Sequence, residues 1–154
     1  MTLLELCDPL FQFVCRLNRS ARKGARPDLD QVRDEVKAIF GQMRSTAANA
    51  PALVAQYEKI ELVLIFFVDF MIKSSALPNA GEWQELAYER KELAGDEKFF
   101  DLLDETLADK SDAAGERLAV FYTCIGLGFT GWYTGQPEYL RRKMLECSTR
   151  IRAH

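Results

Sequence analysis

The sequence has 154 residues, 48% of them hydrophobic, which is enough for one compact domain to bury a sizeable core without disulfide or metal staples. A formal charge of −3 and an isoelectric point near 5.3 give no overall electrostatic footprint for nucleic acid, whose binders cluster Lys and Arg against phosphates. The four cysteines, Cys7, Cys15, Cys124 and Cys147, form no CxxC pair and the one histidine, His154, is the last residue, so no metal site is expected.

The N-terminus has no basic flank, and Glu5 and Asp8 interrupt its apolar residues, so these residues are not expected to act as a signal peptide. Thr2 and Glu5 stand in capping-box spacing ahead of a first amphipathic helix over about 3–22, whose apolar stripe runs Leu3, Leu6, Leu10, Phe11, Val14 and Leu17. Cys7 and Cys15 fall on this one helix about 12 Å apart, too far for a disulfide, and are expected to be buried free thiols. The helix turns basic and stops near Gly24 and Pro27. Asp28 and Gln31 repeat the capping-box spacing before a second amphipathic helix over about 29–44.

Asn49 and Pro51 then open a third helix, amphipathic at first and apolar all round from Leu62 to Ile72. A helix without a polar face belongs in the middle of a bundle. The apolar run is eleven residues long, where a membrane span needs about 20. Residues 77–81 form a loop, and a short amphipathic stretch follows over 83–93. Gly95 precedes a helix whose acidic first turn suits the helix dipole and whose Phe99, Phe100, Leu102, Leu103 and Leu107 face a core. A polar break over 110–115, an apolar helix over 118–129, a turn over 131–135 and a last helix opened by Pro137 complete the chain. The fold class is all-α, with six to seven helices and no sheet.

Gly126-Leu-Gly128-Phe-Thr-Gly131 matches the GxGxxG dinucleotide pattern, but no strand precedes it and no second βα unit exists, so no cofactor is expected. Those glycines read instead as the end of a buried helix that approaches a neighbour closely. With no internal histidine as a general base, neither a Ser-His-Asp nor a Cys-His site can be assembled, and no catalytic residue is assigned. Asp69 interrupts the apolar run, so it must pair with a Lys or Arg, protonate, or face a groove. Trp83 anchors either its own loop to the bundle or a partner to the domain.

Trp83, Leu86 and Glu89, then Gly95-Asp-Glu-Lys98-Phe99-Phe100, then Leu127-Gly128-Phe129-Thr-Gly131-Trp-Tyr133 together resemble the TssL/DotU family of type VI secretion inner-membrane proteins, with relatives in type IVb secretion. Order and spacing agree over about 57–151, although Asp69 is followed by Phe70 where the family often carries Asp-Glu, and Asp96 stands where a second Gly is common. The resemblance implies one domain over 1–154 built of two small helical bundles with a cleft, on the cytoplasmic face of the inner membrane, with a transmembrane helix expected to follow. It further implies a non-enzymatic docking platform that joins an IcmF/TssM-type membrane partner and baseplate components. Asp69, Phe70 and Trp83 are the candidate protein-binding residues. The fragment alone is expected to be mostly monomeric, because the membrane helix is what favours pairing. The basic cluster Arg141, Arg142, Lys143, Arg150 and Arg152 suits either the cytoplasmic flank of such a helix or a solvated helix face. The competing readings are a helical adaptor unrelated to secretion and, more remotely, a small enzyme or carrier with the third helix as a pocket wall.

Overall fold

The structure, a computed structural model, describes residues 1–152; His154 lies outside them. Six α-helices occupy those residues: α1 (Leu3–Arg22), α2 (Leu29–Ala47), α3 (Pro51–Lys73), α4 (Gly95–Ala108), α5 (Asp112–Gly126) and α6 (Pro137–Arg152). Short 3-10 turns lie at Ala80–Glu82, Leu86–Arg90 and Gly131–Tyr133, and the described residues contain no strand. The all-helical expectation holds.

Local chemistry explains most boundaries. The Thr2–Glu5 capping box forms in both directions, satisfying two of the otherwise orphaned N–H groups of α1. The second expected box does not: the Asp28 carboxylate accepts from Asp30 N–H at 2.9 Å, because its short side chain closes a local turn two residues on. Asn49 belongs to the turn leaving α2, its N–H bonded to the Thr46 carbonyl, so α3 opens at Pro51 alone. Over 83–93 the helical reading shrinks to one 3-10 turn, which Lys91 stops in the left-handed region at φ 58°. Ser111 caps α5 by accepting from Ala114 N–H, which moves Asp112–Gly115 from the expected break into the first turn. The same helix ends at Gly126 rather than Phe129, since Gly128 takes φ +126°, outside the helical region.

Contacts fix the topology. Leu3 N–H donates to Glu116, Gln56 to the Ala113 carbonyl, and Phe11 meets Phe67 edge-on at 5.5 Å, so α1, α3 and α5 run in one direction. The even helices return, with Arg44 of α2 on Glu61 of α3 and Lys143 of α6 on Asp104 of α4. One group packs α1 and α2 on α3, a second packs α4 and α6 on α5, and α3 and α5 join them in a continuous core. The apolar stretch of α3 is the axis of that core: Val63, Leu64, Phe67 and Val68 are wholly buried. The C-terminus of α6 therefore lies at one end of the bundle. The α1–α2 turn, the C-terminus of α3 and the N-terminus of α4 lie at the other.

Three cysteines are buried and free, and burial pushes the Cys7 and Cys147 thiols up to about 12 and Cys124 well above its usual range. Cys15, expected to be buried, is only half-buried on the flank of α1. The basic cluster of α6 is largely engaged within the domain. Lys143 bridges Asp104 and Glu146, Arg141 pairs with Glu138, and Arg150 donates to the Leu107 and Asp109 carbonyls that close α4.

Candidate functional site

Asp69 organises the end of the bundle opposite the α6 C-terminus. Its carboxylate is 4% exposed and accepts three hydrogen bonds, from Trp83 Nε1 at 2.9 Å, Leu86 N–H at 2.8 Å and Ala87 N–H at 3.0 Å. Of the alternatives open to Asp69, pairing with a Lys or Arg is not the one adopted: neutral donors on the 83–87 segment hold its carboxylate at the edge of a cleft. Burial pushes the Asp69 carboxyl above its usual range, while the Trp83, Ala87 and Leu86 bonds pull the other way. Trp83 is itself 5% exposed, with the Arg33 guanidinium 5.9 Å from its ring centroid, so its indole fastens the loop to α2 and α3.

Beside this clamp a cleft of about 430 Å³ opens between the two helix groups. Phe66, Asp69 and Phe70 form the α3 wall, the Lys73–Glu85 ion pair at 2.6 Å spans one edge, and Gly95 and Asp96 open α4 on the other side. Two large apolar side chains stand out at the rim, Leu93 at 81% and Trp132 at 60% exposure. The side chain of Asp96 makes no hydrogen bond among the described residues. Its carboxyl is pushed above the usual range by burial and then by the nearby Glu85 charge. Chemically the cleft is an apolar slot with a mainly acidic edge, suited to binding a side chain or segment.

Of the three sequence candidates, the structure brings Asp69 and Trp83 into direct contact, both turned inward, and leaves Phe70 half-buried in the cleft wall against Phe129 at 4.9 Å. Leu93 and Trp132 were not singled out in the sequence. Trp132 directly follows the last glycine of the Gly126–Gly131 pattern, in a turn whose exposure the sequence does not give, and Leu93 looks like one apolar residue of an amphipathic stretch.

The two separated aromatic motifs meet behind the cleft. Phe99 stacks on Phe129 at 4.0 Å, Phe100 packs edge-on against Tyr133 at 4.8 Å, and Tyr133 stacks on Tyr139 at 3.5 Å. A Cβ on Gly131 would lie 2.8 Å from the Phe129 ring and 2.9 Å from the Asp96 carbonyl, and one on Gly95 would lie 2.5 Å from Phe66. Gly131 lets the 126–131 segment close on the start of α4, which is the structural role expected of the pattern, and Gly95 lets α4 start against Phe66 of α3.

The model of the family described as Type VI secretion system protein DotU matches residues 2–154. The chain belongs to the DotU family. The solved cytoplasmic domain of TssL from Acinetobacter baumannii shares the fold with a TM-score of 0.82 at 18% identity, covering 99% of this chain and 98% of that one. No curated protein matches the chain. Membership makes this DotU chain a component of type VI secretion and sets aside the reading of an adaptor unrelated to secretion. No helix among the described residues is long and apolar enough to cross a membrane.

Proposed function

We propose that this DotU domain is a non-enzymatic docking component of the type VI secretion membrane complex, and that its cleft receives a baseplate protein while an IcmF/TssM-type membrane protein joins it elsewhere. The observation that carries the reading is the open cleft rimmed by exposed Leu93 and Trp132, beside a wall held by the Asp69 clamp. Trp is among the residue types enriched at the energetic centres of protein interfaces, and an apolar neighbour such as Leu93 helps exclude water around it. Asp69 then acts as a positioning residue, Phe70 as part of the α3 wall, and Trp83 as the anchor of the loop that shapes the rim.

A non-enzymatic role agrees with the chemistry present. The buried thiols are held protonated, the Asp69 carboxylate is engaged by three donors, and no group of His, Cys, Asp and Glu among the described residues could hold a metal ion. A membrane helix continuing from α6 would anchor the end opposite the cleft, on the cytoplasmic face of the inner membrane, and leave the cleft pointing away from the bilayer. On that arrangement the domain alone stays mostly monomeric and pairing is driven through the membrane segment.

The test is co-purification of the domain with the baseplate proteins of its own secretion system. The double variant Leu93→Ser, Trp132→Ser is expected to lose capture of a baseplate component while keeping its melting temperature. Leu145→Ser, which alters another exposed apolar side chain on α6, is expected to change neither. Undiminished capture by the double variant would refute the cleft as the docking site.

A further inference from the structure

We propose a second docking surface, on the outer side of α1 and its turn into α2, which takes a short acidic segment of a partner protein carrying one apolar anchor. The surface is separate from the cleft and does not rest on the reading given to it. Arg16, Arg19, Arg22, Lys23 and Arg26 are all exposed, and none makes a side-chain hydrogen bond or ion pair with another described residue. Nine of the other fifteen cations, Arg33, Lys37, Arg44, Lys73, Arg90, Lys98, Arg117, Arg141 and Lys143, meet carboxylates, and the unpaired remainder are scattered or lie on α6 rather than gathered in one run without an acidic neighbour. Five unmatched cations in eleven positions, on a chain of net charge −3, form a local inversion of sign.

Helix electrostatics accounts for only part of that ridge. Cations in the last turn of a helix offset the partial negative charge of its exposed carbonyls, which covers Arg19, Arg22 and Lys23. Arg16 lies before the last turn. Arg26 lies just ahead of the α2 N-terminus, where the dipole disfavours a positive charge. Arg16, Arg19 and Lys23 follow the i, i+3, i+7 spacing that puts side chains on one helix face, over about 10 Å of axis.

One member of the ridge, Arg16, lines a groove of about 350 Å³ between α1 and α2, and Arg19 and Lys23 continue the charge along α1 outside it; the apolar lining is Phe13, Leu17, Pro27 and Val32, and the α2 side carries Asp28 and Glu35. That distribution selects the occupant. A membrane surface or a nucleic acid is negative throughout and would meet Asp28 and Glu35 across the groove from the cations. A peptide can place its carboxylates along the α1 side alone and seat an apolar side chain between the helices.

The experiment uses the whole domain and a fluorescein-labelled peptide with a Leu-Phe centre and a run of Glu on one side, compared with the same peptide carrying Lys for Glu. Anisotropy is expected to show tighter binding of the Glu peptide, weakening as salt rises. The variant Arg16→Gln, Arg19→Gln, Lys23→Gln is expected to lose about tenfold or more in affinity with an unchanged melting temperature. Trp132→Ser, in the cleft, is expected to bind the peptide as the unmodified domain does, so failure of either surface is read independently. Lys59→Gln, Arg142→Gln, Arg152→Gln removes three cations elsewhere and controls for net charge. Equal binding of the two peptides, equal loss in the control variant, or tighter binding to a short DNA duplex or to phosphatidylethanolamine–phosphatidylglycerol vesicles would each overturn the proposal.

Discussion

Replacing Asp69 with Ala separates a clamp residue from a contact residue, because the two roles predict different losses. Truncation leaves the Trp83 indole N–H and the Leu86 and Ala87 backbone N–H groups facing an apolar wall without an acceptor. Each unsatisfied buried donor costs about 1–3 kcal/mol, and part of the sum is recovered because no carboxylate has to be desolvated. The net loss is about 3 kcal/mol, which lowers the melting temperature of a domain of this size by roughly 6–12 °C. Asp69→Asn keeps one oxygen acceptor but turns an amide NH2 towards one of the donors, for a loss of about 1–2 kcal/mol. Thermal unfolding followed by circular dichroism gives both numbers. In a Trp132→Phe background, acrylamide quenching of Trp83 should rise in the Ala variant as the loop loosens. An Ala variant that melts with the unmodified domain and quenches equally would refute the clamp.

Three further outcomes follow from particular residues. The folded-state pKa of Asp69 is raised, so the folded domain holds this proton more tightly than the unfolded chain; the site favours folding at acid pH and loses that contribution as pH rises from the unfolded value of 3.8 through the folded pKa. The melting temperature of the unmodified domain relative to Asp69→Asn should therefore increase as pH is lowered from neutrality towards that range, and a difference that is constant or moves the other way contradicts the shift. Gly131→Ala combines a φ of +51° with contacts under 3 Å to Phe129 and the Asp96 carbonyl, and should cost about 1–3 kcal/mol in urea unfolding; a neutral result would show that the segment is not tightly closed. Calorimetric titration with dinucleotides, ATP or zinc should be flat, because the Gly126–Gly131 segment follows the C-terminus of α5, where the dipole repels phosphate; micromolar binding would contradict this.

Most of the fold was legible because its signals are local. The Thr2 box, Pro51, Pro137 and the stripe of α1 each fix an element through neighbouring residues alone, and the unbroken apolar run of α3 announces a central helix. The misplaced boundaries depend on chemistry that spacing does not settle, such as Ser111 capping α5 and Lys91 halting the 83–93 segment in a left-handed conformation. At the candidate site the sequence marked Asp69 as anomalous but could not supply its partners. Two of those are backbone N–H groups, which every residue but proline carries, and the third is an indole fourteen positions away. Leu93 and Trp132 stayed hidden because exposure depends on what folds over a residue. The glycine pattern shows the converse case: its physical role follows from helix context, and Phe129 and Asp96 supply the close neighbours.

The central claim, that the cleft is the docking surface, is tested most directly by placing a photoreactive phenylalanine analogue at position 132 or position 145 of the full-length protein in cells with an assembled secretion system. Both positions are 60% exposed, so labelling cannot differ through accessibility alone. A crosslink to a baseplate component is expected from position 132 and none from position 145. No crosslink from position 132, or the same product from both positions, would contradict it.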